Sequence, residues 1–95
     1  SFKSVRFLSY KFHIVSFNEF FMLIREIFIL EIYRFKSSSD TPTIFDCGSN
    51  IGMALIYFKH LYPNARIFAF EPDPRIFSIL KKNVEGNNLK NVELH

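Results

Sequence analysis

The sequence predicts an α/β fold with a parallel sheet and flanking helices. Three short apolar segments alternate with two segments of helical periodicity, at 43–46, 51–61, 66–71, 74–85 and 92–95. Short apolar strands that alternate with helices are typical of βαβ units, whose strands lie parallel in one sheet. The chain has 95 residues, 48% of them hydrophobic and 22% charged, which is enough apolar material for one core and too little chain for two.

The first part of the chain, residues 1–40, is predicted to be an appendage of short strands and one helix. Residues 5–14 alternate between apolar and polar side chains, which favours one or two short strands or a hairpin. Ser16 and Glu19 have the spacing of a helix capping box, and apolar residues at helical spacing follow them. We therefore expect a helix from 17 to 30.

A polar run at 36–42 is the predicted linker, and beyond it the element boundaries have local causes. Pro63 cannot continue the first helix, whereas Asp73 and Pro74 give the second helix an N-cap and a favourable first residue. The second helix carries an apolar stripe that should face the sheet: Ile76, Phe77, Leu80 and Val84. The Gly-Asn-Asn run at 86–88 should end this helix.

Charge and cysteine content lead to expectations about nucleic-acid binding and about the cellular location of the protein. The net charge is +3, but the basic residues are scattered and Lys81-Lys82 is their only adjacent pair, so no nucleic-acid partner is expected. The single cysteine, Cys47, forbids an internal disulfide and fits a reducing, cytoplasmic location. We expect Cys47 to pack as a small buried hydrophobic residue.

No membrane span or signal peptide is predicted. The most apolar window, 20–33, is interrupted by Arg25, Glu26 and Glu31 and is shorter than the roughly 20 apolar residues that cross a bilayer. The N-terminus has no apolar run followed by a small-residue cleavage site. The chain begins without Met and stops in an alternating apolar run at 91–95, so we expect a fragment of a longer protein, truncated after the third strand of the core sheet.

The turn after the first core strand has the composition of a ligand-binding loop. Asp46 ends the strand, and Gly48, Asn50 and Gly52 follow at every second position. Glycine permits positive φ and a close approach of a ligand to the backbone, and asparagine tolerates the same conformation. Gly52 would also allow tight packing of the helix that follows.

Two nucleotide-binding patterns fail on spacing. A phosphate-binding P-loop needs Gly-Lys, a dipeptide that occurs nowhere in the chain. The Gly-x-Gly-x-x-Gly fingerprint of dinucleotide sites would need glycine at 48, 50 and 53, but only Gly48 matches, since Asn50 and Met53 occupy the other positions.

Two carboxylates at neighbouring strand ends favour S-adenosylmethionine as the ligand. The charge of Asp46 would repel a pyrophosphate but attract the ammonium and sulfonium groups of S-adenosylmethionine. Glu71 ends the next strand, 19 residues after Gly52, where an acid can accept hydrogen bonds from both hydroxyls of a ribose. Together they would bracket an adenosine-type ligand.

Four linked motifs resemble the FkbM-type S-adenosylmethionine-dependent methyltransferases. They are Asp46-x-Gly48-x-Asn50-x-Gly52, Ala69-Phe-Glu-Pro-Asp-Pro74, Leu80-Lys-Lys-Asn83 and Asn87-x-Leu-x-Asn-Val-Glu-Leu94, and the resemblance covers about residues 30–95. It implies a Rossmann-like class I methyltransferase fold, of which residues 41–95 would form the first half of the cofactor-binding domain. Asp46, Gly48, Asn50 and Gly52 would then lie at the methionine end of the cofactor, and Glu71 would hold its ribose.

The resemblance also implies an activity, the O-methylation of a small-molecule or sugar-like acceptor. Because the acceptor pocket of such enzymes is built from later parts of their chain, no catalytic residue is assigned here, and the fragment alone should be inactive. His13, His60 and His95 have no partners at metal-ligand spacing, so no metal site is expected. Two alternatives stay open: an NAD-dependent Rossmann oxidoreductase, and a non-catalytic Rossmann-like interaction fragment.

Overall fold

A computed structural model describes residues 3–95; residues 1 and 2 of the predicted appendage lie outside the described residues. The described chain forms five strands, three α-helices and one π-helical segment. In chain order they are β1 (Lys3–Phe7), β2 (Tyr10–Ile14), α1 (Phe17–Leu23), the π-helical segment (Ile24–Ile29), β3 (Thr43–Cys47), α2 (Met53–Leu61), β4 (Arg66–Phe70), α3 (Pro74–Gly86) and β5 (Val92–Leu94).

The predicted parallel sheet is confirmed, with strand order β3-β4-β5. The central strand β4 supplies buried core residues, Ile67 and Ala69, while each outer strand pairs with it in parallel register. The carboxyl ends of parallel strands meet at one edge of a sheet. This topology therefore brings the turn after β3 next to the residues that follow β4.

The expectation that Cys47 is buried is wrong, because its side chain is exposed. Successive side chains of a strand point to opposite faces, and Cys47 shares a face of β3 with Thr43 and Phe45, both of which are also exposed. Phe45 is 66% exposed and its ring stacks on that of Phe68, with 5.1 Å between the ring centroids. The alternate residues of β3, Ile44 and Asp46, lie on its other face and are half-buried.

Residues 5–14 were predicted to form one or two short strands or a hairpin, and the structure shows a hairpin, the antiparallel pair β1-β2. Leu8, in the turn, has a φ of 56°. The β2 residues Phe12 and Ile14 are buried in the same core cluster as the helices and the sheet. The hairpin thus packs on the α/β part of the chain.

The first helix starts as predicted but does not stay α-helical to residue 30. The Ser16 hydroxyl accepts a hydrogen bond from the Glu19 amide, 3.1 Å away, which caps α1. From Ile24 the backbone widens into the π-helical segment, and Glu31 beyond it has a φ of 50°. Ile27, within this segment, is buried in the core. Among residues 3–95, no helix combines the length and the apolar character needed to cross a membrane.

The second half of the core lies between α2, α3 and the sheet. Every residue of α2 from Met53 to Lys59 is buried. Asp73 caps α3 as predicted, because its carboxylate accepts hydrogen bonds from the amides of Arg75 and Ile76. The stripe of α3 is shifted from the predicted one: Leu80 and Val84 are buried as expected, Ile79 and Asn83 are buried with them, and Ile76 and Phe77 are only half-buried.

One polar contact joins Glu31, just beyond the π-helical segment, to α2, and its loss should weaken the fold. The buried Tyr57 hydroxyl donates to the Glu31 carboxylate over 3.0 Å. Tyr57→Phe removes this bond and should lower the free energy of unfolding by about 1–2 kcal/mol. Chemical denaturation measures this change. Tyr62→Phe removes the acceptor of the Ser37 amide from a half-buried tyrosine; it is the matched control and should cost less. An unchanged free energy of unfolding in Tyr57→Phe would contradict a stabilising role for the Tyr57–Glu31 contact.

Candidate functional site

The turn after β3 is wound through three left-handed residues. Gly48, Asn50 and Gly52 have φ values of 80°, 54° and 99°. The amides of Gly48 and Ser49 both donate to the carbonyl of Phe70 at the end of β4, at 2.8 and 2.9 Å. These bonds hold the turn against the carboxyl end of the neighbouring strand.

Gly52 lets the turn pack closely on α3. A Cβ atom at this position would lie 3.0 Å from Cδ1 of the buried Leu80, whereas one at Gly48 would meet no atom of the described residues within 4 Å. The two glycines therefore have different constraints. Gly52 is restricted by both backbone angle and space, and Gly48 by backbone angle alone.

Glu71 lies beside the turn and holds it. Its Oε1 accepts a hydrogen bond from the Asn50 amide at 2.8 Å, and its Oε2 accepts one from the Asp73 amide at 3.0 Å. A carboxylate has about four acceptor positions, so each oxygen keeps capacity for one further donor. The side chain is half-buried, which leaves it accessible to a ligand.

Asp46 is the carboxylate in this site whose hydrogen bonding is incomplete. Its Oδ2 is buried and has no hydrogen-bond partner among residues 3–95. Burial raises the pKa of the Asp46 carboxyl above its usual 3.8, the negative charge of Glu71 raises it further, and the Ser49 hydroxyl opposes both. In the structure that hydroxyl donates to the main-chain carbonyl of Asp46 over 2.9 Å. Asp46 is thus an acceptor suited to a cationic or hydrogen-bonding ligand.

A cavity of about 170 Å³ opens between the turn and the N-terminal helix. The turn contributes Asp46, Gly48, Ser49 and Asn50 to its lining, α2 contributes Met53 and Ala54, and the N-terminal part contributes Leu23, Ile27 and Tyr33. A larger cleft of about 600 Å³ lies between the end of β2 and the start of α3 and includes none of the predicted site residues. We therefore take the smaller cavity as the candidate site.

The structure brings four of the five predicted site residues into direct relation. Asp46, Gly48 and Asn50 line the cavity, and Glu71 bonds the Asn50 amide. Gly52 lies behind the turn, against α3. No three His, Cys, Asp or Glu side chains within residues 3–95 are grouped so that they could hold a metal ion.

Sequence reasoning missed the residues that support the turn from outside it. Leu23, Ile27 and Tyr33 were assigned only to the appendage, and nothing in their spacing placed them at the cavity. Asn83, 1% exposed, donates its amide to the carbonyl of Ile51 within the turn, at 2.7 Å. The role of Asn83 could have been predicted from its place in the motif Leu80-Lys-Lys-Asn83, where a polar residue continues an apolar helix face.

Comparisons of sequence find methyltransferases. The chain is 42% identical over 71 residues to Methyltransferase 1 of Beauveria bassiana, covering 75% of this chain and 28% of that protein. It is 36% identical over 63 residues to the 31-O-demethyl-FK506 methyltransferase FkbM of Streptomyces tacrolimicus, covering 64% of this chain and 24% of that protein. The chain thus spans about a quarter of the length of these curated relatives. A scan against protein-family models finds no match.

Comparisons of structure agree on the fold. The M. jannaschii TYW2 structure in complex with AdoMet superposes with a TM-score of 0.69 at 19% identity, covering 98% of this chain and 42% of that one. Coclaurine N-methyltransferase bound to N-methylheliamine and SAH gives a TM-score of 0.54 at 22% identity, covering 81% of this chain and 21% of that one. The predicted Rossmann-like α/β class is therefore confirmed.

Proposed function

We propose, from the premise that this chain belongs to the FkbM-type methyltransferases, that it forms the first part of an S-adenosylmethionine site in an O-methyltransferase. In this proposal Asp46, Gly48, Asn50 and Gly52 form the loop at the methionine end of the cofactor. Glu71 binds the ribose hydroxyls. Residues 41–95 are the first half of the cofactor-binding domain, and residues 1–40 are an appendage whose helix closes one side of the cavity.

The buried Oδ2 of Asp46, which has no hydrogen-bond partner within residues 3–95, is the observation that carries the proposal. A buried carboxylate without a donor is unfavourable, and a ligand that brings positive charge or hydrogen-bond donors relieves that cost. S-adenosylmethionine brings both, with an ammonium group and a sulfonium centre. The anionic pyrophosphate of NAD would instead be repelled by Asp46.

Glu71 supports the same ligand. Its contacts with the amides of Asn50 and Asp73 fix the carboxylate at the mouth of the turn, with one acceptor position free on each oxygen. Two hydroxyls on adjacent ribose carbons match two oxygens of one carboxylate. Asn50 connects Glu71 to the turn that follows Asp46, because Asn50 belongs to that turn and its amide donates to Glu71.

The chemistry that S-adenosylmethionine supplies when bound is a methyl group on a positively charged sulfur, open to attack by an acceptor oxygen. The residues of this chain would bind and orient that group, and positioning accounts for much of the rate in such displacements. None of the described residues is assigned a proton-transfer role. The acceptor is proposed to be a small molecule or sugar-like compound, and the name of the 31-O-demethyl-FK506 methyltransferase supports transfer of the methyl group to an oxygen. A cytoplasmic location stays a prediction from Cys47.

Calorimetric titration of S-adenosylmethionine, and separately of NAD, into the natural protein that carries this sequence, at its full length, tests the proposal. Saturable binding of S-adenosylmethionine alone is the expected result. Binding of NAD alone would assign the oxidoreductase alternative. Binding of neither would contradict the proposal and favour the non-catalytic interaction fragment.

Glu71→Ala should weaken the binding of S-adenosylmethionine by about 1–3 kcal/mol in the same titration. The variant removes the acceptors for the ribose hydroxyls and releases the Asn50 amide. Glu93→Ala is the matched control, because it makes the same change of charge on an exposed residue of β5, the strand next to β4. Unchanged affinity in Glu71→Ala, or an equal loss in both variants, would overturn the ribose assignment.

A further inference from the structure

We propose that Asn83 is a positioning residue that couples the N-terminal hairpin to the cofactor-binding turn. This inference rests on the proposed function, because it deepens the description of the same site. The coupling consists of one buried carboxamide that bonds the backbone of β2 on one side and the backbone of the turn on the other.

The Asn83 side chain is 1% exposed, and both ends of its amide group are occupied. Its Nδ2 donates to the carbonyl of Ile51 at 2.7 Å and to the carbonyl of His13 at 3.0 Å. Its Oδ1 accepts from the His13 amide at 2.6 Å. An NH₂ group has two donors, and here one serves each partner. A movement of β2 relative to the turn would therefore strain or break one of the hydrogen bonds of Asn83.

Ile51 lies between two residues of the turn whose backbone positions are constrained. It is buried and stands between Asn50, whose amide bonds Glu71, and Gly52, whose φ of 99° starts α2. The direction of the Ile51 carbonyl is set by the peptide plane that it shares with the Gly52 amide. Holding this carbonyl restricts the backbone angles on both sides of the plane, and so restricts the residues that would contact the cofactor.

Asn87, one helical turn further along α3, provides an internal comparison. Its Oδ1 accepts from the Lys11 amide and its Nδ2 donates to the Lys11 carbonyl, both at 2.8 Å. Lys11 and His13 are alternate residues of β2, so the two asparagines pair with one edge of that strand much as a neighbouring strand would. Only Asn83 also reaches the turn; the further bond of Asn87 goes to the main-chain carbonyl of Asn83, at 2.7 Å.

The two asparagines separate docking of the hairpin from support of the turn. If Asn83 only attached the hairpin, replacing either residue would have the same kind of effect. Because Asn83 also fixes Ile51, its replacement should loosen the turn as well. Asn83→Asp sharpens the comparison, since the carboxylate can still accept from the His13 amide but has no hydrogen to donate to the carbonyl of Ile51 or of His13. It thus keeps one of the two bonds to β2, whereas Asn87→Ala loses both of its bonds to β2.

The test measures Asn83→Ala, Asn83→Asp and Asn87→Ala in the natural full-length protein by two readouts. Hydrogen exchange of the amides at 48–52 is followed without ligand, and the Kd for S-adenosylmethionine is measured by calorimetry. Both Asn83 variants should exchange faster in the turn and should raise the Kd by about tenfold. Asn87→Ala should lower the melting temperature but leave turn exchange and Kd within about twofold of the parent.

Equal effects of Asn83→Asp and Asn87→Ala on exchange and Kd would overturn the inference. If Asn83→Ala does not fold, Asn83→Asp carries the test, because it keeps the size of the side chain and one hydrogen bond to β2. Failure of the proposed function is distinguishable, since the parent protein would then not bind S-adenosylmethionine. In that event the exchange readout still decides whether Asn83 holds the turn.

Discussion

Asp46→Asn is expected to stabilise the unliganded protein and at the same time to weaken its binding of S-adenosylmethionine. In the parent, the buried Oδ2 of this carboxylate has no hydrogen-bond donor in the part of the chain that the structure describes. The neutral amide of asparagine costs less to bury, so the melting temperature without ligand should rise. The lost charge would otherwise bind the cationic end of the ligand, so affinity should fall roughly 10- to 100-fold.

The pH dependence of the unliganded protein follows from the same carboxyl. Burial is the largest cause that raises the pKa of Asp46 in the folded state above 3.8. Between pH 3.8 and this raised pKa, the folded state therefore binds more protons than the unfolded state. The stabilising contribution of the protonated group is complete below pH 3.8 and is lost as pH rises through the raised pKa. Asp46→Asn should lack this component of the pH profile.

Thermal melts between pH 3 and 7, with and without S-adenosylmethionine, measure both effects. Asp40→Asn is the matched control, because it removes the same charge from an exposed residue of the linker. It should leave the affinity unchanged and should not remove the Asp46 component of the pH profile. A lower melting temperature for unliganded Asp46→Asn would contradict the view that this carboxylate is unfavourable in the empty site.

Substitution of the three glycines by alanine should give a graded loss of stability, with Gly52→Ala the most severe. At Gly52 the added Cβ meets a left-handed φ and a Leu80 atom at 3.0 Å, so the free energy of unfolding should fall by about 2–4 kcal/mol. At Gly48 the backbone angle is equally unfavourable but the space is open, so the loss should be about 1–2 kcal/mol.

Gly86→Ala is the control for this series. Gly86 ends α3 and has no positive φ, and an added Cβ would meet no atom of residues 3–95 within 4 Å. Alanine should therefore leave the stability unchanged or raise it by about 0.5 kcal/mol. Chemical denaturation of the three variants gives the ranking. If Gly52→Ala were as stable as Gly86→Ala, close packing of the turn on α3 would be ruled out as the reason for glycine at this position.

The order of strands, helices and turns was predictable from the sequence because it depends on local patterns. The alternation of apolar residues predicted β1 and β2, and the short apolar runs predicted β3, β4 and β5. Asp73 with Pro74 predicted the start of α3, since an N-cap and a fixed φ act within a few residues. Gly48 and Asn50 predicted a left-handed turn for the same reason.

Other features were decided by tertiary structure because they depend on which elements meet. Cys47 has the composition of a core residue, but its exposure follows from the face of β3 on which it lies. The switch to a π-helix at Ile24 follows no local signal that we identified. It occurs where the segment packs on α2, with the ring of Phe28 5.3 Å from that of Tyr57.

The candidate site also has features that were predictable from the sequence and features that depend on tertiary structure. The sequence by itself determined its acidic and glycine residues, since charge at a strand end and freedom of φ belong to single residues. Only the tertiary structure decided that Glu71 bonds Asn50 and that Asn83 joins the turn to β2. It also decided that Asp46 Oδ2 has no donor among the described residues. The physical reason is that a hydrogen bond needs its partners within about 3 Å. Distances between residues 21 to 70 positions apart are set by packing of the whole chain.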